Sequence, residues 1–140
     1  SKLLAENLIF ESGCGSAVLR FGGIFGSNGP SHLGINKAII NAKKGKRPIL
    51  YGIGDVKRNY IYVKDAAEAI VKCAEEKLTG IHYLGGEEKP LRDMLSDICE
   101  VLIPGQFPKH IKGEITSDQI VENSPLFEIT SFRTAIEQMA

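Results

Sequence analysis

The stretch "RNYIYVKDAAEAI", residues 58–70, changes period in its middle. Arg58 through Val63 alternates as a strand does, with Tyr60 and Tyr62 on one face and Ile61 and Val63 on the other. From Asp65 onward, Ala67, Ile70, Val71 and Ala74 recur at i, i+3, i+4 and i+7, the stripe of an amphipathic helix over 66–77. Asp65 is suited to cap its first turn, and Glu68 three residues on completes a capping-box pattern. The unusual residue is Arg58, because a strand entering a core usually opens on a group easier to desolvate.

The same reading extends in both directions. Upstream, "SKLLAENLIFES" is helical, with Leu4, Leu8 and Ile9 on one stripe and Gly13 at its C-cap. "SAVLRF" (16–21) is a strand ending in the glycine-rich loop "GGIFGSNGP", and a helix over 32–44 turns Ile35, Ala38, Ile39 and Ala42 inward. "RPILYG" is a strand and "IGDVK" a turn. Downstream, "IHYLG" is a strand, "GGEEKP" a turn and 91–102 a helix; "GQFPKHIKGEI" is loop and short strand, and Phe132, Ala135, Ile136 and Met139 mark a last short helix. Helices alternating with short β-rich runs make the class α/β.

With 140 residues the chain has the size of one domain, 1–140, and burial alone can stabilise a core of that size. Seventeen basic and seventeen acidic residues cancel, which leaves no broad field for nucleic acid or an anionic membrane. No apolar run approaches the roughly 20 residues of a membrane span. Cys14, Cys73 and Cys99 are odd in number and lack metal-ligand spacing, and Cys73 and Cys99 fall in helical patterns, so a reducing cytoplasm is the expected setting and no metal is expected. His32, His82 and His110 have no partner at metal or triad spacing and read as structural or exposed. Lys43, Lys44, Lys46 and Arg47 read as solvated cations at a helix C-terminus.

Gly23, Gly26 and Gly29 formally spell G-x-x-G-x-x-G between a strand and a helix. In a dinucleotide fingerprint the helix begins within the glycines, and its N-terminus holds the pyrophosphate. Here Pro30 and Ser31 follow the last glycine and delay the helix, so the reading is a plain loop that lets a ligand approach the backbone closely.

Four stretches in order resemble the C-terminal half of an extended short-chain dehydrogenase/reductase of the NAD-dependent sugar-nucleotide epimerase and dehydratase family. "SKLLAEN" resembles the helix carrying the end of the Tyr-x-x-x-Lys motif, and "VLRFGGIFG" the strand and loop after it. "GKRPILYGIGDVKRNYIYVKDAAEAI" resembles the family's segment from G-x-P through the arginine-led strand, and "GIHYLGGEEKPLRDML" the strand and helix that follow. The likeness implies a Rossmann-type fold with a small α/β substrate-binding region, here without the NAD-binding half, so that the fragment alone is expected to be inactive.

The resemblance also implies roles. Arg58 would reach the diphosphate of a nucleotide sugar, which suits a planar, permanently charged guanidinium. Tyr51 would lie against the base, beside the backbone of Ile49 and Leu50, and Ile35 falls near the nucleotide although its own pattern reads as core. Gly23 would border the sugar, and Phe21 and Gly22 the cofactor, NAD or NADP. Lys2 would be catalytic, hydrogen-bonding the nicotinamide ribose and lowering the pKa of a tyrosine four residues earlier, one helical turn away. The helix starting at Ser1 would pack in a homodimer. Three positions depart from the family pattern: Gly23 and Leu84 stand where asparagine is usual, and Asn59 where aspartate is. The first weakens the case for a UDP-galactose-type epimerase and leaves a reductase or dehydratase branch open. Two other readings compete: a same-family reductase of a non-nucleotide carbonyl compound, and a free-standing, non-catalytic binding domain.

Overall fold

A computed structural model describes residues 1–114 and 116–140. Helix α1 (Lys2–Glu11) leads to strands β1 (Ala17–Phe21) and β2 (Gly23–Phe25) and helix α2 (Gly34–Lys43). Strands β3 (Ile49–Tyr51) and β4 (Lys57–Tyr62) precede helix α3 (Val63–Glu75). Then come β5 (Gly80–Leu84), β6 (Glu88–Pro90), α4 (Leu91–Leu102), β7 (Lys109–Ile111) and α5 (Phe132–Met139). β1 pairs in parallel with β5, and β3 with β7; β4 lies between parallel β2 and antiparallel β6. The α/β expectation holds. Of the loop and short strand expected over 105–115, Ile115 lies outside the described residues.

β4 divides two cores, which explains the dense apolar alternation of its sequence. Tyr62 joins Phe25, Ile35, Ile39, Leu50 and α4's Met94 and Ile98 on one side, where α5 adds Phe132 and Ile136. Ile61, on the other face, packs with Ala66, Ala69, Leu84 and Phe127. The inward residues expected for α2 are all buried. Leu84 is fully buried in the second core, so an apolar side chain suits its strand.

Four expectations are corrected. The glycine-rich run is not all loop: Gly23–Phe25 pairs with Tyr60–Tyr62, an interaction distant in sequence that local turn chemistry conceals. Glu88–Pro90 is likewise a strand rather than a turn, paired with Lys57–Asn59 and reinforced by a Lys57 Nζ–Glu88 Oε1 ion pair at 2.8 Å. Asp65 does not cap α3, which begins two residues earlier at Val63. Its carboxylate is buried and accepts the Thr130 N–H (2.8 Å) and the Thr130 hydroxyl (2.6 Å). With Asp65 turned to Thr130, no capping box forms. Finally, the buried stripe of α3 is Asp65, Ala66 and Ala69, not the one expected; Ile70 and Val71 are 55% and 53% exposed. Small side chains bring the helix close to the sheet, while Ile70 and Ala74 border an open apolar cleft against Leu19 and Phe21 of β1.

α1 buries none of its residues, and Leu3, Leu4, Leu8, Ile9 and Phe10 are all exposed. Glu6 ties it to the sheet by accepting two hydrogen bonds from Arg20 of β1, at 2.6 and 3.3 Å. Residues 116–131 are fastened by side chains and main chain alike: Asn59 and Asp65 bond the main chain of this stretch, Asn123 bonds that of Gly85 and Gly86, and Gln119, Glu122 and Ser124 make backbone hydrogen bonds to Lys57, Gly85 and Tyr83.

Candidate functional site

Three elements distant in sequence converge on one cleft of about 230 Å³: Ile35 from α2, Ile49 and Tyr51 from β3, and Tyr60 from β4, closed by Leu91 and Leu95 of α4. β3 presents alternate residues outward, so Ile49 and Tyr51 are 42% and 61% exposed while Leu50 between them is buried at 1%. Leu50 therefore offers only its main chain to this face, and its side chain belongs to the core. Ile35 does both, buried in the core and lining the cleft. Tyr60 was not singled out from the sequence beyond its strand face. Burial pushes its phenol above the usual tyrosine range, and the nearby Arg58 charge opposes the rise. Among the described residues its hydroxyl has no hydrogen-bond partner.

Arg58 shares a face of β4 with Tyr60, two residues away. Its guanidinium donates to Ser117 O (2.6 Å), Lys57 O (3.0 Å) and Thr116 Oγ1 (3.0 Å). Arg20, Arg92 and Arg133 each pair with a carboxylate, whereas among the described residues none lies within ion-pair distance of Arg58. The guanidinium is thus held by neutral oxygens that an anion could replace, on the face of β4 that carries Tyr60.

A second cleft of about 770 Å³ is bordered by Gly23–Pro30, Leu33, Tyr62 and Lys64. Asn36, buried at 1%, shapes this run. Its amide donates to Ile24 O and accepts the Gly26 N–H, both at 3.2 Å. An amide among the apolar inward positions of α2 was the sequence signal for it. A Cβ on Gly26 would stand 2.6 Å from Val63 Cγ1, and one on Gly29 would collide with the Asn36 amide.

The candidate cofactor residues lie elsewhere. Gly22 donates its N–H to Leu84 O (2.9 Å), and a Cβ there would stand 3.2 Å from Gly85 O, so this glycine serves the close approach of two strand ends. Phe21 is half-buried beside the apolar cleft between β1 and α3, and Lys2 is exposed at the start of α1. Neither lines the Tyr51 cleft. The glycine-rich run opens as a strand and the next helix starts at Gly34, so the described residues hold no pyrophosphate cradle.

Of the remaining candidates, His82 Nε2 lies 2.9 Å from Thr79 O and its ring meets Phe127 edge-on; His32 and His110 are exposed. Lys43 Nζ donates to Met139 O (2.5 Å) and Arg47 Nε to Phe107 O (2.7 Å), so two members of the basic cluster fasten later segments of the chain. Among the described residues no group of His, Cys, Asp and Glu could hold a metal ion, and no helix is long and apolar enough to cross a membrane.

The chain is 38% identical over 79 residues to dTDP-glucose 4,6-dehydratase 1 of Escherichia coli, a match covering 53% of this chain and 22% of that protein. The Salmonella typhimurium dTDP-glucose 4,6-dehydratase matches to the same extent. Among solved structures, a UDP-N-acetylglucosamine 4-epimerase from Methanobrevibacter ruminantium, in complex with UDP-N-acetylmuramic acid, superposes with a TM-score of 0.77 at 23% identity, over 98% of this chain and 48% of that one. A dTDP-glucose 4,6-dehydratase from Bacillus anthracis in complex with NAD gives 0.69 at 20% identity, over 88% and 42%. These superpositions establish the fold, and in both the chain spans less than half of the protein it resembles. The model of the NAD dependent epimerase/dehydratase family matches residues 1–85, from α1 through β5, and this chain belongs to that family.

Proposed function

We propose that the chain is the substrate-binding part of an NAD(P)-dependent nucleotide-sugar epimerase or dehydratase. The observation that carries the reading is the convergence of Ile35, Ile49, Tyr51 and Tyr60 on one cleft, with the carboxylate-free Arg58 on the Tyr60 face of β4. A base stacks on the exposed Tyr51 ring, and two phosphate oxygens take the Arg58 guanidinium in place of Ser117 O and Thr116 Oγ1. The sugar lies toward the glycine-rich run at Gly22 and Gly23. NAD or NADP, bound mainly by a part of the enzyme outside this chain, supplies the hydride acceptor for a sugar carbon. Lys2 holds a ribose hydroxyl and, through its charge, lowers the pKa of an upstream tyrosine that takes the sugar hydroxyl proton. The exposed apolar face of α1 supports burial against the upstream half or a second subunit.

Titration with UDP, dTDP and GDP tests the reading. Saturable binding to one of them, weakened at least tenfold in Arg58→Ala, is the expected result. Failure of all three to bind favours a reductase acting on a non-nucleotide carbonyl compound.

A further inference from the structure

The Tyr51 cleft and the glycine-run cleft are neighbours separated by one side-chain wall. Tyr60 lines the first and Gly23 and Leu33 line the second. A Cβ on Gly23 would stand 2.8 Å from Tyr60 Cδ1, 3.2 Å from its Cε1 and 3.3 Å from Leu33 Cδ2. The Tyr60 ring therefore rests on the bare Cα of Gly23, with Leu33 beside it. Sites for small molecules usually enclose about 300–1,000 Å³. At about 230 Å³ the Tyr51 cleft lies below this range, while the cleft beyond the wall, at about 770 Å³, falls well within it.

We propose that Tyr60 and Leu33 form a partition, seated on Gly23, that decides whether a ligand extends from the Tyr51 cleft into the glycine-run cleft. The pair is thus a specificity determinant for what is attached beyond the diphosphate. This inference rests on the nucleotide-sugar reading above. Its logic is steric: a nucleoside diphosphate is held without disturbing the wall, whereas a conjugate must displace the Tyr60 ring. Gly23 gives the ring its resting place, and any side chain there drives the ring into the Tyr51 cleft.

The test uses calorimetric titration of the intact enzyme with UDP, dTDP and GDP and with UDP-glucose, dTDP-glucose and GDP-mannose. In Tyr60→Ala the affinity for the conjugate rises about tenfold relative to that for the preferred diphosphate, whatever the change in the diphosphate's own affinity. Leu33→Ala, which opens the wall from the other side, moves the ratio the same way, and Tyr60→Phe leaves it within twofold. Gly23→Ala weakens diphosphate and conjugate together, and the Gly23→Ala/Tyr60→Ala double variant recovers both. A ratio that stays put, or moves toward the diphosphate, in both Tyr60→Ala and Leu33→Ala while the diphosphate still binds overturns the partition alone. If the unaltered enzyme binds none of the three diphosphates, the nucleotide reading falls and the partition with it. Tyr60→Leu replaces Tyr60→Ala should the smaller side chain unfold the protein, and is held to the same ratio.

Discussion

The side-chain amide of Asn59 pairs with both main-chain polar groups of one distant residue: Nδ2 donates to Val121 O (2.6 Å), and Oδ1 accepts the Val121 N–H (3.0 Å). Asn59 is 5% exposed and so behaves as one rung of a β-ladder built from a side chain, holding 116–124 to the sheet. A carboxylate is isosteric but cannot donate. Asn59→Asp leaves Val121 O unpartnered and opposes it with a charge, which costs about 1–3 kcal/mol. Chemical denaturation should show the loss, and Asn59→Asp should lose more relative to the unaltered protein at pH 7 than at pH 3, below the ordinary aspartate pKa of about 3.9, where the protonated acid donates again.

Leu50 and Tyr51 are adjacent and should respond in opposite ways. Leu50→Ala opens a cavity in a closed core and costs about 2–5 kcal/mol. Tyr51→Ala removes an exposed ring, leaves the unfolding midpoint within a degree or two, and weakens nucleotide binding by the 1–3 kcal/mol that a base–aromatic stack contributes, roughly five- to 150-fold. Thermal melts and titrations on the two variants check both halves.

Glu6 titrates below the usual carboxylate range, chiefly because Arg20 donates hydrogen bonds to its carboxylate; desolvation works the other way. A folded-state pKa below the unfolded one means a contribution present above the ordinary glutamate pKa and lost as pH falls through the depressed value. Carboxyl-resolved NMR should show a low Glu6 midpoint that returns to the ordinary range in Arg20→Ala. The α1 amides should lose hydrogen-exchange protection over the same acidic interval.

The three thiols should separate by access. Cys14 is exposed, Cys73 half-buried and Cys99 buried, and burial raises the pKa of both Cys73 and Cys99. Because the thiolate is the reacting form, iodoacetamide at pH 8 should label Cys14 first, Cys73 slowly and Cys99 only on unfolding, as peptide mass spectrometry would show.

What the sequence disclosed was local. The period change at 58–70, the α2 stripe, α4 and α5 were all legible, since each is written in neighbouring residues. What it concealed was carried by distant pairing. Gly23–Phe25 is a strand only because Tyr60–Tyr62 lies beside it, and Asp65 looks like a cap until Thr130, 65 residues on, occupies its carboxylate. The α3 stripe misled in another way: Asp65, Ala66 and Ala69 are the buried residues, while Ile70 and Val71, although apolar, stay exposed. At the candidate site, Ile35, Ile49 and Tyr51 were named from the sequence and do meet in one cleft. Tyr60 carries no short-range mark of what it touches, and Asn36, an amide among apolar inward positions, signals a polar contact without showing that its partners are Ile24 and Gly26.

The Asn36 clamp has a consequence for how this region tolerates change. Both of its hydrogen bonds end on main-chain atoms, so the path of the glycine run is set by an amide ten or so residues later rather than by the side chains of the run itself. Ser27 and Asn28, exposed at the tip, are therefore open to wide substitution, while Gly26, Gly29 and Asn36 are coupled and accept almost none singly. A saturation library across 26–36 should resolve into a permissive tip between two rigid hinges, so the rim of the larger cleft can diversify without losing its shape.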